Sequence, residues 1–338
     1  MFTRIARSLA GALALACAMG LPAVASAKQP TVPTVRELAS FAAPGCTGGC
    51  GSGSTMGPDG ALYVTDGKAG RVLRVDPDSG AVTTFAHGLP PSIEAVGIGG
   101  AIDVAFVGRT AYVLETLVGP FFGQAAVVDG IYRVEQDGSV TPVADIGSWA
   151  IAHPPATDYF VPSGVQYAMQ PFRGAFVVTD GHHNRVLRVT ADGGVSEMRA
   201  FGNIVPTGLD VRGNTVLMGE AGPVPHLPET GKVVAFTPRA AAAEEVASGA
   251  PLIVDVELGR GGRLYALSQG FWDWPNDPAN AGKPAAPNTG TLVRAEKDGR
   301  LTPLVHRLDR PTSLELVGTT AYVVTLTGTV VKIDGVPK

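Results

Sequence analysis

Short apolar runs alternate with Gly- and Asp-rich turns along most of the chain, and this alternation repeats. Ala61–Gly80 (ALYVTDGKAGRVLRVDPDSG) and Ala175–Gly194 (AFVVTDGHHNRVLRVTADGG) match at a constant offset of 114 residues. Each copy has the pattern of a strand, an acidic turn, a second strand and an Asp/Gly turn. Such a unit cannot bury both of its faces alone, so it must stack on copies of itself.

One strand of this unit occurs six times, with β-branched residues at alternating positions. The six copies are Arg71–Val75, Gly130–Val134, Arg185–Val189, Lys232–Phe236, Thr291–Ala295 and Thr329–Ile333. An apolar strand precedes each copy, a shorter strand precedes that one, and an outer strand follows five of the six. The repeats therefore predict six four-stranded antiparallel sheets.

The sixth repeat stops at Asp334 and Gly335, where its outer strand would begin. Thr34–Phe41 has the composition of the missing strand, so we expect it to complete the last sheet and to leave no free edge. The sequence thus predicts an all-β, six-bladed β-propeller whose last blade is closed by an N-terminal outer strand.

In such a ring, loops between second and third strands share one face with the links between blades. The longest irregular segments fall in these places: Val118–Asp129, Gly147–Val161, Ala221–Gly231, Gly270–Gly290 and the loop that contains CTGGC. We call this surface the loop-rich face. Loops on a rigid scaffold commonly carry recognition, so this face is the predicted binding surface.

The first 27 residues have the pattern of a secretory signal peptide. Arg4 and Arg7 precede the apolar run Leu9–Leu21, and small residues end at Ala27, the predicted cleavage site. The run is too short for a comfortable membrane span, and no later segment supplies one. We therefore expect a secreted or periplasmic protein, with residues 28–338 as a single propeller domain. A lipid anchor on Cys17 is the alternative, although Ala14 stands where a lipoprotein signal has Leu.

Charge and cysteine content narrow the classes of protein further. The net charge is −4 and becomes −6 without the two leader arginines, which argues against nucleic-acid binding. Once the leader is removed, Cys46 and Cys50 are the two cysteines that are left. In an exported protein a disulfide between them is favoured over half of a metal site.

Acidic residues recur in the predicted inner strands, next to the central channel. Asp103, Asp210, Asp255 and Glu315 are predicted to occupy equivalent places, with Gln166 in the same place in blade 3. Converging carboxylates repel each other unless they are hydrated, protonated or neutralised. One hypothesis is a divalent cation such as Ca²⁺ in the channel, held by these four acids. The alternative is that they face water or bond to backbone groups at blade edges.

A second set of acids closes the second strands at the loop-rich face: Asp66, Glu115, Asp180 and Glu220. We expect these side chains to accept backbone N–H groups in the turns that follow. Four histidines map to the same face, namely His153, His182, His183 and His226. They lack an HxH or HExxH spacing, so a surface or turn role is favoured over a shared metal or catalytic site.

Large aromatic residues are concentrated in the inserted loops, among them the two indoles of FWDWPNDP. They either pack beneath the loops or contact a ligand. The candidate ligand-binding residues are Trp149, His153, Tyr159, His182, His183, His226, Trp272 and Trp274. The expected partner at this face is a small molecule, a glycan or a protein.

Several longer motifs support a family resemblance across nearly all of the mature chain. GPDGALYVTDG and VVTDGHHNRVLRVTADG resemble NHL-type and SMP-30-type propellers. VPSGVQY, IVPTGLDV and GEAGPVPHLPETGKVVAF are more similar to the ScyD/ScyE family of exported propeller proteins. The resemblance implies a secreted or periplasmic protein, linked in part of that family to assembly of an extracellular aromatic pigment. It supplies no catalytic residues.

Two functions follow as hypotheses. The first is an exported propeller that acts as a binding or scaffolding module through its loop-rich face. The alternative is a metal-dependent hydrolase of the SMP-30 lactonase type, in which channel carboxylates hold a divalent cation that activates water or polarises a carbonyl.

Overall fold

A computed structural model describes residues 32–42, 46 and 48–337, and the predicted signal peptide lies outside this part. Its strands form six four-stranded antiparallel sheets. The outer strand of blade 6 comes first in the chain, as β1 (Thr34–Ser40). Blade 1 contains β2 (Ser54–Met56), β3 (Leu62–Asp66), β4 (Arg71–Val75) and β5 (Val82–His87). Blade 2 contains β6 (Gly100–Val107), β7 (Thr110–Thr116), β8 (Gly130–Val134) and β9 (Val140–Asp145).

The remaining blades follow in chain order. Blade 3 contains β10 (Gln166–Phe172), β11 (Ala175–Asp180), β12 (Arg185–Thr190) and β13 (Val195–Ala200). Blade 4 contains β14 (Pro206–Arg212), β15 (Thr215–Glu220), β16 (Lys232–Phe236) and β17 (Glu244–Ser248). Blade 5 contains β18 (Ile253–Leu258), β19 (Leu264–Ser268), β20 (Gly290–Ala295) and β21 (Leu301–Leu308). Blade 6 contains β22 (Pro311–Val317), β23 (Thr320–Thr325) and β24 (Thr329–Asp334).

The two ends of the described chain share one sheet. Strand β1 pairs antiparallel with β24, from Thr34 opposite Asp334 to Ser40 opposite Thr329. This pairing satisfies backbone groups that would otherwise form an open edge. The predicted six-bladed ring and its closure by the N-terminal strand are therefore confirmed.

Apolar side chains fill the spaces between neighbouring blades. Tyr63 and Val72 of blade 1, for example, pack with Val104 and Val113 of blade 2. Successive side chains of a strand point to opposite faces of the blade, and apolar residues occur on both faces. Each face of a blade therefore packs against a neighbouring blade. In the part of the chain described here, no helix is long and apolar enough to cross a membrane.

Several local features belong to the connections between the strands. The link between blades 2 and 3, predicted as a loop, begins with a helix, α1 (Ile146–Ala152). The Asp145 carboxylate accepts the Ser148 N–H at 2.8 Å and so caps the first turn. Three short 3₁₀ turns lie at Pro120–Phe122, Arg260–Gly262 and Pro278–Asn280. Before β2, Cys46 and Cys50 form the predicted disulfide, with Cα atoms 6.5 Å apart.

Candidate functional site

The inner strands surround a central cavity of about 390 Å³, a volume that includes its solvent-open part. Its walls carry Asp103, Asp255, Glu257 and Glu315 together with serine, threonine and glycine backbone positions. The cavity is therefore acidic, as the sequence predicts for the channel.

The acids of the channel do not lie at one level, contrary to prediction. Asp103 and Asp255 pair with Leu114 and Leu267, one position before the acid or serine that ends the second strand. Asp210 and Glu315 pair with Leu217 and Tyr322, further along the channel. Each of these inner strands shifts its register by one residue at the equivalent place, so the bulges do not separate the acids. The two levels arise because Asp210 and Glu315 lie two residues further along their strands than Asp103 and Asp255.

Gln166 lies at a third level, opposite Asp180. Its side chain links two blades: Thr116 Oγ1 donates to Gln166 Oε1 at 3.1 Å, and Gln166 Nε2 donates to the Ser163 carbonyl at 3.0 Å. Gln166 is fully buried. Its role is therefore to join blades 2 and 3, away from the ring of carboxylates.

Asp103 is a clamp between blades 2 and 3. Its Oδ1 accepts the Val104 N–H at 2.8 Å, and its Oδ2 accepts the Met169 N–H at 2.7 Å. A side chain at Gly53 of blade 1 would collide with this carboxylate, which explains glycine there.

Asp255 repeats the same arrangement half a ring away. Its Oδ1 accepts the Val256 N–H at 2.9 Å, and its Oδ2 accepts the Leu314 N–H at 2.7 Å, with Gly208 of blade 4 in close approach. Asp210 similarly accepts the Leu258 N–H at 2.9 Å. These three acids therefore bond to backbone groups at blade edges, as the alternative interpretation predicts.

Burial and mutual repulsion make the channel acids hard to ionise. Burial raises the pKa of Asp255 to about 7 and that of Asp103 well above its usual range, although backbone N–H groups oppose both shifts. Burial and the neighbouring Glu315 together raise the pKa of Glu257. Sequence reasoning missed Glu257, although its position two residues after Asp255 on one strand places both on the same face.

The channel carboxylates do not form a ready-made metal site. Both carboxylate oxygens of Asp103 and of Asp255 already accept a backbone hydrogen bond. Within the described ranges, no three His, Cys, Asp or Glu side chains converge as metal ligands would. A cation held by Asp103, Asp210, Asp255 and Glu315 would share these oxygens with the backbone N–H groups and would need the four acids, which lie at two levels, to approach each other.

The eight candidate ligand-binding residues divide into two groups. Five of them form a cluster near blade 3: Trp149, His153, Tyr159, His182 and His183. Trp149 and His153 stack with ring centroids 4.4 Å apart, and the Arg185 guanidinium lies 4.9 Å from the Trp149 ring centre. Tyr159 meets the edge of His183 at 5.2 Å.

The histidines of this cluster are engaged in internal hydrogen bonds. His182 Nε2 accepts the N–H groups of Phe160 and Val161 at 2.7 and 3.0 Å. This bonding requires the ring to be neutral at Nε2, and burial lowers the pKa of His182 to about 4. His183 Nε2 lies 2.9 Å from the Val161 carbonyl, while its Nδ1 lies 2.8 Å from Arg185 Nη2. The two residues fix the loop that carries Tyr159 and Phe160.

A buried ion pair contacts the cluster of Trp149, His153, Tyr159, His182 and His183. Asp180 and Arg185 are both buried, with Oδ2 and Nε 3.2 Å apart, and Asp180 Oδ1 accepts the Val165 N–H at 3.0 Å. Burial alone would raise the pKa of Asp180, but His183, Arg185 and the Val165 N–H outweigh it and lower the pKa. The expected turn bond is also present, from the His183 N–H to Asp180.

The remaining candidates, His226, Trp272 and Trp274, lie in the loops of blades 4 and 5. Trp272 is buried in an apolar cluster, donates to the Lys283 carbonyl at 3.0 Å and meets His226 edge-on at 5.8 Å. His226 is buried and lies 2.7 Å from the Gly222 carbonyl through Nδ1. Trp274 is exposed, and Lys283 Nζ lies 4.2 Å from its ring centre. The two indoles of FWDWPNDP therefore differ: one packs the loop and one faces solvent.

The exposed aromatic residues mark one surface. Among the described residues, five aromatic side chains are strongly exposed, and all five belong to the inserted loops: Phe121, Tyr159, Phe160, Phe271 and Trp274. Ile151, in the segment of Tyr159 and Phe160, and Leu227, in the inserted loop of blade 4, add exposed aliphatic surface. The other exposed large apolar residues are valines on outer strands, at strand ends or near the N-terminus. Large exposed apolar groups gathered on one face are typical of interaction sites.

Comparison with known proteins agrees with this architecture. No protein-family profile and no curated sequence matches the chain. Among solved structures, a gluconolactonase from Xanthomonas campestris has a TM-score of 0.59 at 14% identity, over 89% of each chain. Virginiamycin B lyase from Staphylococcus aureus has a TM-score of 0.54 at 14% identity, over 89% of this chain and 99% of that one. A nidogen/laminin complex contributes a match with a TM-score of 0.52 at 12% identity, over 78% and 84%.

These likenesses show the fold alone. Gluconolactonase-like propellers occur among the neighbours, which agrees with the general SMP-30-type resemblance. The specific resemblance to the ScyD/ScyE family stays a prediction, as do export and the signal peptide. The disulfide is compatible with an extracellular location.

Proposed function

We propose that this chain is an exported binding module that engages another protein through its loop-rich face. The observation that carries the proposal is the placement of all five strongly exposed aromatic side chains of the described residues in the inserted loops. Aromatic residues dominate the energetic centres of protein interfaces because they bury much apolar area at a small entropic cost.

The shape of this surface favours a protein over a small molecule. The exposed residues are spread over four loops, in the connections of blades 2, 3, 4 and 5, and of these residues Phe121 and Ile151 share a cavity. Small-molecule sites are concave and enclose most of their ligand. A surface that several loops share suits a broad partner, and the nidogen propeller in complex with laminin is a structural neighbour that binds a protein.

The loops are also held in place, which a recognition surface requires. The His182 and His183 hydrogen bonds fix the segment of Tyr159 and Phe160, and the Trp272 side chain anchors the segment of Phe271 and Trp274. Pre-organised loops lose less conformational entropy on binding. His182, His183 and Trp272 thus support the surface, and the exposed aromatics make the contacts.

The hydrolase hypothesis receives less support from the channel. Asp103 and Asp255 each use one carboxylate oxygen to bond to the neighbouring blade, which gives these acids a structural role without a metal. Gluconolactonase activity is stated for a neighbour that is only 14% identical, which does not carry to this chain.

The test places a photo-crosslinking amino acid at Phe160 or Phe271, which are 62% and 60% exposed. Val107 and Val317, 48% and 46% exposed at hairpins of the opposite face, serve as matched control positions. We expect one protein from the cell envelope or medium of the source organism to crosslink at both loop positions and at neither control.

The purified partner then gives a quantitative test. The double variant Phe160→Ser/Phe271→Ser should bind it at least about 30-fold more weakly, because truncating a central aromatic typically costs about 2 kcal/mol or more. Val107→Ser/Val317→Ser should bind it like the wild type. Equal crosslinking from the two faces, or unchanged affinity of the loop variant, would refute the proposal.

A further inference from the structure

The acid that closes a second strand faces a base at the start of the third strand in three of the blades. The paired positions are Asp66 and Arg71 in blade 1, Asp180 and Arg185 in blade 3, and Glu220 and Lys232 in blade 4. In blades 1 and 3 the two side chains form an ion pair, at 2.8 and 3.2 Å. In blades 1 and 3, the arginine at this position therefore compensates the charge of the buried carboxylate.

Blade 2 lacks that base. Continuing the register from Leu114 opposite Ile131 places Gly130 opposite Glu115. A Cβ atom at Gly130 would collide with the Ala144 carbonyl, so no longer side chain fits there. The residue before it is Asp129, which adds a second negative charge in place of the missing positive one.

The two carboxyl groups are buried and make no hydrogen bonds. Glu115 and Asp129 are 0% and 1% exposed. In the described part of the chain, six buried side-chain polar atoms lack a hydrogen-bond partner, and five of them belong to Glu115, Asp129 and Ser163. Asp129 and Ser163 both line a cavity of about 210 Å³, a volume that includes its solvent-open part, beneath the loop of Phe121 and helix α1. Buried polar groups are almost always paired, so these five oxygens require a proton, water or a cation as partner.

The electrostatics are consistent with that conclusion. Burial and the proximity of Asp129 raise the pKa of Glu115 well above its usual range, and burial together with Asp180 and Asp145 does the same for Asp129. The Ser163 hydroxyl and the Leu117 N–H oppose the shift of Asp129, but neither completes a hydrogen bond by distance and angle.

A proton or a cation can remove the electrostatic repulsion between two buried carboxylates. A shared proton would satisfy one oxygen of each carboxyl group and would leave the other two carboxyl oxygens and the Ser163 hydroxyl without a partner. A hard cation instead takes six to eight oxygen ligands. The three side chains offer five oxygens, without nitrogen or sulfur, and Asp129 and Ser163 line a cavity that admits water.

We propose that Glu115, Asp129 and Ser163 bind a divalent cation of the Ca²⁺ type in blade 2, where it replaces the arginine of blades 1 and 3. The site is separate from the central channel, and its cavity lies beneath Phe121, one of the exposed aromatics of the proposed binding surface. Because Gly147 of α1 packs directly against the Asp129 side chain, the ion would also fix the start of that helix. The cation thus acts as a structural clip for the loops of blade 2.

The test uses the mature protein after treatment with EDTA, titrated with CaCl₂ at pH 8 by calorimetry and by thermal unfolding. We expect one site and an unfolding midpoint that rises by about 5 °C or more at a hundredfold excess over Kd, because the ion binds the folded state alone. Glu115→Gln and Asp129→Asn should each weaken binding at least tenfold. Asp66→Asn, the equivalent acid of blade 1 with its arginine partner, should leave Ca²⁺ affinity unchanged.

Two outcomes overturn the proposal. One is a wild-type protein that neither binds Ca²⁺ nor gains stability from it. The other is binding that survives Glu115→Gln and Asp129→Asn but is lost in Asp103→Asn/Asp255→Asn, which would move the ion to the channel. Should the two acid variants fail to fold, Ser163→Ala decides, since it removes one ligand oxygen only: a lower Ca²⁺ affinity supports the site, and an unchanged affinity overturns it.

Discussion

Blades 2 and 3 each have a fully buried carboxylate at the same position of the repeat, but the neighbours and the pKa of the two carboxylates differ. In blade 3, Asp180 has Arg185, His183 and backbone N–H groups around it, and its pKa falls below the usual value. In blade 2, Glu115 has Asp129 beside it and no hydrogen bond, and its pKa rises well above the usual value. Equal burial therefore does not determine the charge of a buried acid; its neighbours do.

The two acids also differ in the part of the loop-rich face that lies next to them. The compensated acid of blade 3 lies under the cluster that holds Tyr159 and Phe160 in place. The uncompensated acid of blade 2 lies beside Asp129, which lines a cavity. One repeat position thus supports the loop of Tyr159 and Phe160 in blade 3 and belongs to the proposed ion site in blade 2.

The largest effect should come from breaking the pair of blade 3. Arg185→Met leaves Asp180 buried without its main cation and removes the contact with the His153 carbonyl. We expect a loss of about 3–5 kcal/mol in the free energy of unfolding, measured with urea, because an unpaired buried charge is strongly destabilising.

Arg71→Met is the matched control in blade 1. The Arg71 side chain is 35% exposed, so water compensates Asp66 when the arginine is removed. The expected loss is about 1 kcal/mol or less. Equal losses from the two arginine variants would contradict the argument that burial sets the value of the pair.

A smaller effect, of opposite sign, should follow from removing the acid of blade 2. In EDTA at pH 8, Glu115→Met should stabilise the protein by about 1–3 kcal/mol, since an apolar side chain replaces an uncompensated carboxylate. The measurement is urea unfolding of both proteins across the pH range.

The pH dependence gives the sign of this effect independently. The folded state holds the Glu115 proton more tightly than the unfolded chain, so wild-type stability falls as pH rises above the ordinary value of 4.5. One such group contributes a slope of up to about 1.4 kcal/mol per pH unit. The stabilisation by Glu115→Met should therefore shrink toward pH 4.5. A gain in stability that does not depend on pH would point to better packing instead.

The smallest effect concerns blade 4, where the acid Glu220 is less well compensated than Asp180 of blade 3 and better compensated than Glu115 of blade 2. Burial raises the pKa of Glu220 to about 7; Lys232 opposes the shift, and Glu245 adds to it. Lys232 Nζ lies 2.6 Å from Glu245, which draws it away from Glu220. Glu245→Gln should lower the pKa of Glu220, as followed by carboxyl NMR titration, with a stability change within about 0.5 kcal/mol. An unchanged or higher pKa would show that Lys232 cannot reach Glu220.

Sequence reasoning predicted the ring because the repeat is long and strongly periodic. The third strands, the second strands and the closing role of Thr34–Phe41 all follow from the alternation of apolar residues. The inner strands were harder, because a displacement of two residues along a strand keeps a side chain on the same face and leaves the alternation unchanged. For this reason the sequence predicts Asp103 and Asp210 at one level, although they lie two residues apart along the channel, and it does not indicate Glu257, which pairs at the level of Asp210.

The positions of the loops could be predicted from the sequence, but the burial of individual loop side chains could not. Trp272 and Trp274 are two residues apart in an irregular segment, where no strand or helix period tells the buried ring from the exposed one. Glu115 was expected to accept a backbone N–H like Asp66 and Asp180, and this prediction was wrong. The available signal was Gly130 in place of the usual Arg or Lys, directly after Asp129, and it becomes informative only once the strands are aligned.

A crystal structure grown with CaCl₂ at pH 8, beside one grown in EDTA, tests the central claim most directly. The account predicts a strong density peak bonded to Glu115, Asp129 and Ser163 in the first crystal, none in the second, and none in Glu115→Gln crystals with CaCl₂. A short hydrogen bond between the Glu115 and Asp129 carboxyl groups in both crystals, with no ion in either, would contradict it.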